Sequence, residues 1–241
     1  RRWFADTAAE RRTDGEPVLL FVDTFTEYFT PEVAIAAVRV LEAAGRRVCV
    51  TEKQQCCGLT WITTGQLDTA RKILGRTISA LFPTGIPIVG LEPSCTAVLR
   101  SDAVELLGFE PARAVADSTV TLAELLGDWE PPSLSGTSVV AQPHCHHHAV
   151  MGWGADAALL RRAGATVTRL GGCCGLAGNF GVVPAHYDVS VAVAGHQLLP
   201  AIAAAGPDDV VLADGYSCRT QITDLTERRG VHLAELLASR L

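Results

Sequence analysis

"TVTRLGGCCGLAGNFG", residues Thr166–Gly181, joins a β-branched run at Thr166–Leu170 to a glycine-flanked pair of adjacent cysteines. "RVCVTEKQQCCGLTW", residues Arg47–Trp61, does the same: a short run at Arg47–Thr51, then a Cys-Cys-Gly turn. Both runs read as strands, so each cysteine pair lies in the loop that follows a strand. Adjacent cysteines add little to a core. Two such pairs in matching contexts suggest sulfurs that face one object.

Reading outward from each loop gives the same order of elements twice. In the first half Val18–Asp23 is a strand, Pro31–Ala44 a helix stopped by Gly45, and Arg47–Thr51 a strand. The Cys-Cys-Gly loop follows, then a helix at Gln66–Leu81, a strand at Pro87–Leu91, "EPSC", and a helix near Thr96–Leu107. A short helix at Thr121–Leu126 closes the unit. In the second half Ser138–Gln142 is a strand, Ala155–Ala163 a helix ended by Gly164, and Thr166–Leu170 a strand. The second Cys-Cys-Gly, a helix through Ser190–Ala204, a strand at Asp209–Asp214, "GYSC" and "HLAELLASRL" complete it. Alternating strands and helices predict α/β lobes, two in tandem and pseudo-symmetric, with parallel sheets flanked by helices. The expected boundaries are an extension at 1–17, a first repeat at 18–130 and a second at 131–241, linked through "DWEPPSLSG" at Asp128–Gly136. In such sheets function gathers beyond the carboxyl ends of the strands, where each cysteine loop falls.

Composition narrows the classes. The 241 residues are 48% hydrophobic and 19% charged, with a net charge of −6 and no long basic run, which argues against nucleic acid as a partner. No apolar run has the roughly 20 residues of a membrane span. No secretory signal opens the chain, and eight cysteines then suggest reduced thiols in a cytoplasm, with peripheral attachment to a membrane left open. The start at Arg1-Arg2-Trp3, without Met, suggests a piece of a longer polypeptide.

Four cysteines of the second half, Cys145, Cys173, Cys174 and Cys218, make the usual thiolate set for a [4Fe–4S] cluster, though spacing alone does not choose the metal. The first half offers only Cys56, Cys57 and Cys95; the place of Cys145 falls near Thr24. That set suggests a second, partial site, a zinc, or a free pair. Cys49, inside a strand, reads as an ordinary buried thiol. The alternatives are vicinal disulfides or inert thiols at each pair, and a zinc bound by the "HCHHH" run at His144–His148. His144, His146, Asn179 and His186 are candidates for neighbours that hydrogen-bond or orient, with loop capping as the plainer role of Asn179 and His186. Glu92 reads as a solvated helix-start carboxylate and Asp214 as a turn residue.

"CCGLTWITTGQLDTAR", "GLEPSC", "QPHCHHHAVMGW", "GGCCGLAGNFG" and "ADGYSC" resemble the cysteine-rich CCG repeats of heterodisulfide reductase and of the iron–sulfur subunits of glycolate oxidase, lactate utilisation and anaerobic glycerol-3-phosphate dehydrogenase systems. The likeness is strongest to the carboxy-terminal part of FAD-linked oxidases similar to D-lactate and D-2-hydroxyacid dehydrogenases. There the full repeat is a cysteine, a CC pair and a later CxxC; Glu92 and Gly215 stand where each CxxC would begin. The resemblance implies a [4Fe–4S] cluster in the second repeat, FAD on an upstream domain, upstream FAD-binding and ferredoxin-like modules as partners, and a quinone or another carrier as electron acceptor. Alone, the chain would not oxidise a hydroxyacid. The competing expectations are a zinc-bound or metal-free docking module, the state that aerobic purification would also leave, and a disulfide-reductase-like catalytic site between the lobes.

Overall fold

The computed structural model describes residues 1–83 and 85–241. The chain divides into two compact units, Arg1–Trp129 with Leu241, and Glu130–Arg240. Each is a parallel sheet with helical crossovers, so the fold is the α/β one that the alternating elements predict.

In the first unit β1 (Glu16–Phe21), β2 (Arg46–Val50), β3 (Ile88–Gly90) and β4 (Thr119–Thr121) form one sheet in the order β2-β1-β3-β4, all parallel. β1 is central and nearly all apolar, and Val18, Leu20 and Phe21 are buried, as a strand covered on both faces requires. Pro31–Ala43 carries the chain from β1 to β2. Leu67–Leu81 returns it to β3, with Ala70, Leu74, Thr77, Ile78 and Leu81 on one buried face. The residues before β1 belong to this unit: the Arg1 guanidinium pairs with Glu27 and donates to the Thr51 carbonyl at 3.1 Å.

In the second unit β5 (Ser138–Ala141), β6 (Thr166–Arg169) and β7 (Val210–Leu212) pair in parallel in the order β6-β5-β7. This repeats the β2-β1-β3 arrangement. A fourth position, filled by β4 in the first unit, is reduced here to a parallel bridge between Leu212 and Val231.

Three local differences from the sequence expectations have physical causes. The helix expected near Thr96 starts at Pro93, because Glu92 caps it by accepting from Ser94 N and Ser94 Oγ. The helix expected through Ser190–Ala204 is two, Tyr187–Ala194 and Leu198–Ala204, separated at Gly195. Glu110–Ser118 and β4 are additional to the expected elements, since Thr119–Thr121 is too short to show a period of two.

Candidate metal centre

Each unit brings three strand ends together on one side of its sheet. In the second unit Cys145 follows β5, Cys173 and Cys174 follow β6, and Cys218 lies in the first turn of Tyr216–Leu225 after β7. The central strand's neighbours run to it from opposite directions in sequence, which is where parallel sheets bind ligands. The four thiols perturb one another in sequence: Cys145 with Cys173, Cys173 with Cys174, and Cys174 with Cys218. Cys174 and Cys218 are buried in the core with Leu176, Leu198, Val211 and Ile222; Cys173 is half-buried and Cys145 exposed.

The loop is held by groups that the sequence reading passed over. Gln142, buried at the end of β5, donates to the Gly172 carbonyl at 2.7 Å, and Gln197 Oε1 accepts from Gly171 N at 2.9 Å. The signal available was the place of Gln142, directly at a strand end and three residues before Cys145. Gly175 turns the chain with φ +92°, which lets its N–H point back to Cys173 Sγ at 3.3 Å. Gly58 does the same in the first unit, with φ +80° and 3.5 Å to Cys56 Sγ.

Cys173 is the sulfur of the set whose surroundings most favour the thiolate. The Cys145 and Cys174 thiols donate to it, Gly175 N–H adds a third donor, and its thiol is pulled down to about 2. The same contacts push Cys145 and Cys174 up, with burial adding to both.

His144 fills the space beside Gly215. Its ring packs on Gly215 so closely that a Cβ there would lie 2.3 Å from His144 Cδ2, leaving no room for a side chain where a CxxC would begin. Burial, then His146, pulls the imidazole down to about 4, so it is neutral at pH 7. His144 Nδ1 accepts from His146 N at 3.2 Å, and Nε2 faces Ser217 Oγ at 3.4 Å. The His146 ring stands edge-on to it at 5.3 Å. Asn179 is exposed at the start of the turn Phe180–Val182, and His186 stacks on Phe180 at 4.2 Å. Neither is brought into this series of cysteine interactions. Within the "HCHHH" run the side chains separate: His147 pairs with Asp156, and His148 with Arg169.

The first unit builds the same frame with different atoms. Cys56 and Cys57 follow β2, and Cys95 lies on the helix after β3, with Cys57 Sγ and Cys95 Sγ 2.8 Å apart. Thr24 takes the place of Cys145, its hydroxyl set against Cys56. In place of His144 stands Asp23, fully buried, and in place of Gly215 stands Glu92, also buried. Glu92 is therefore a helix-start carboxylate as expected, but not a solvated one. Burial and then Glu92 raise Asp23 to about 6. Contact with Cys57 pulls Cys95 down, but burial and both carboxylates outweigh it and push the thiol up to about 12. Cys56 is raised by its interaction with Cys57 and by burial; Cys56 in turn pulls Cys57 down, but Cys95 and burial together outweigh it and push that thiol up. Cys49 sits within β2, half-buried and packed against the core. All eight cysteines are free thiols.

Residues 21–100, within the first unit, match the family model described as a cysteine-rich CCG domain. Across the whole chain the sequence is 30% identical to one subunit of the anaerobic glycerol-3-phosphate dehydrogenase of Escherichia coli, spanning 63% of that polypeptide. It is 28% identical over 92% of its length to lactate utilization protein A of Bacillus velezensis, covering 99% of that relative. It is 26% identical over 91% of its length to D-2-hydroxyglutarate dehydrogenase of Pseudomonas putida, of which it spans 22%. The chain is thus homologous both to separate subunits and to a part of a larger dehydrogenase. Among the described residues no helix is long and apolar enough to cross a membrane.

Proposed function

We propose that this chain is an iron–sulfur electron-transfer module of an FAD-linked 2-hydroxyacid oxidoreductase, with one [4Fe–4S] cluster held by Cys145, Cys173, Cys174 and Cys218. The observation that carries the reading is the arrival of four cysteines at the ends of three adjacent parallel strands, where their surroundings favour the thiolate of Cys173. Soft thiolates in a set of four fit a [4Fe–4S] cluster, whose chemistry when bound is one-electron transfer. Homology to dehydrogenase subunits supports a redox role, and FAD would reside on a partner module.

The chain's own residues then have definite tasks. Cys174 and Cys218 anchor the inner side in the apolar core, which excludes water. Gly175 N–H donates to the Cys173 sulfur and would help set the potential, since hydrogen bonds to sulfur stabilise the more reduced state. His144, neutral, fills the space over Gly215 and orients Ser217. Cys145, exposed, lies on the side from which an acceptor such as a quinone or another carrier would take an electron.

The test is anaerobic purification followed by iron and acid-labile sulfide analysis and EPR of the reduced protein. The reading expects about four irons with matching sulfide. Zinc without sulfide under those conditions would contradict it and favour a structural docking module.

A further inference from the structure

Behind the four cysteines the second unit buries a polar cluster that the electron-transfer reading does not use. His147, Asp156 and Asp214 each offer a ligand atom within 4.8 Å of the other two. They are 3%, 2% and 9% exposed. His147 Nε2 lies 3.1 Å from Asp156 Oδ2. That oxygen nevertheless accepts no aligned hydrogen bond, although it is shut off from water. Asp214 is not the turn residue that its sequence position suggests: its Oδ1 accepts from Leu233 N at 2.8 Å, and His232 Nε2 stands 3.6 Å from the same atom. Two carboxylates against one imidazole leave an excess of acceptors in an apolar setting, and a buried carboxylate oxygen without a well-aligned donor is costly.

The fold itself does not require this cluster. In the first unit the position matching His147, counted from Thr24 and Cys145, is Thr26; that matching Asp214, directly before Glu92 and Gly215, is Leu91. The position matching Asp156, counted from the helix stops Gly45 and Gly164, is Ala37. A hydroxyl, an isobutyl and a methyl group do the packing there, so the three ionisable groups were not placed for packing.

We propose that His147, Asp156 and Asp214 form a binding site for a divalent first-row cation, distinct from the cysteine site. One imidazole nitrogen and two carboxylate oxygens are ligands for zinc, manganese or iron(II), while the soft sulfurs nearby select differently. Bound there, the cation neutralises the buried carboxylates. It also ties three segments together: the turn that follows Cys145, the helix Gly154–Arg162, and the strand end that leads into Cys218.

Manganese(II) is the probe, because it binds thiolates poorly and is weakest in the divalent series, so a site that holds it holds the others. The 241-residue chain titrated with Mn2+ and followed by EPR should bind one ion per chain in the nitrogen–oxygen site, displaced by Zn2+. Loss of even an outer-shell partner costs roughly 10- to 100-fold in metal affinity, and Asp156→Asn, which alters a ligand, should cost at least that. Cys174→Ser should leave Mn2+ binding unchanged, which separates failure here from failure of the cluster reading. Unaltered Mn2+ binding in Asp156→Asn, or none in the wild type, overturns the site. If Asp156→Asn does not fold, anomalous scattering from Mn2+-soaked wild-type crystals decides: a peak among the three side chains supports the site, and its absence refutes it.

Discussion

Asp23 and His144 occupy the same position in the two repeats, and the exchange changes what each sulfur set can hold. A neutral ring beside Cys173 tolerates a thiolate; a carboxylate beside Cys95, with Glu92 behind it, opposes one. Asp23 also links stability to pH. Its carboxyl titrates near 6 when folded, against 3.8 ordinarily, so the folded chain retains a proton that the unfolded chain has released. Its contribution is therefore fully present below pH 4 and is lost as pH rises to about 6. Asn in its place keeps an acceptor for Phe25 N and Thr26 N without the charge. Asp23→Asn should be more stable than the wild type at pH 7, by up to about 3 kcal/mol. The difference should vanish near pH 4, as urea melts at the two pH values would show. At Gly175 a Cβ would fall 2.2 Å from the Ser190 carbonyl oxygen, in a left-handed backbone. Gly175→Ala should cost about 1–3 kcal/mol by thermal melts and should reduce iron content, since it moves the N–H held on Cys173.

At the scale of elements, the repeat shows in the closing helices as well as in the cysteine loops. Leu122–Leu125 and Leu233–Ala238 both begin with a capping box, Thr121 with Glu124 and His232 with Glu235. Thr121→Ala should lower stability by about 1 kcal/mol, measured by denaturant titration. His232→Ala should lower it further, because His232 also stands against Asp214. These helices were legible because "TLAELL" and "HLAELL" carry their caps in the local sequence. The crossovers at Pro31–Ala43 and Leu67–Leu81 were legible for the same reason, through Pro, Gly and a repeating apolar face. What escaped was decided by tertiary contact. β4 exists because three residues pair with β3, and the break at Gly195 leaves Gln197 placed to hold Gly171.

For the whole molecule, duplication makes the two units alike in frame and unlike in chemistry. The sequence pattern was enough to bring Cys145, Cys173, Cys174 and Cys218 to strand ends, because a loop after a parallel strand has little choice of side. It could not reveal that the His144 ring excludes a side chain at Gly215, or that Glu92 is buried beside Asp23. Both depend on residues about 70 positions apart meeting in space. The asymmetry is the central claim, and iron content in two variants tests it most directly. In protein purified anaerobically, Cys174→Ser should lose the cluster's iron and sulfide, while Cys57→Ser should retain both near wild-type levels. Equal loss in the two variants, or loss in Cys57→Ser alone, would contradict a cluster held by the second repeat.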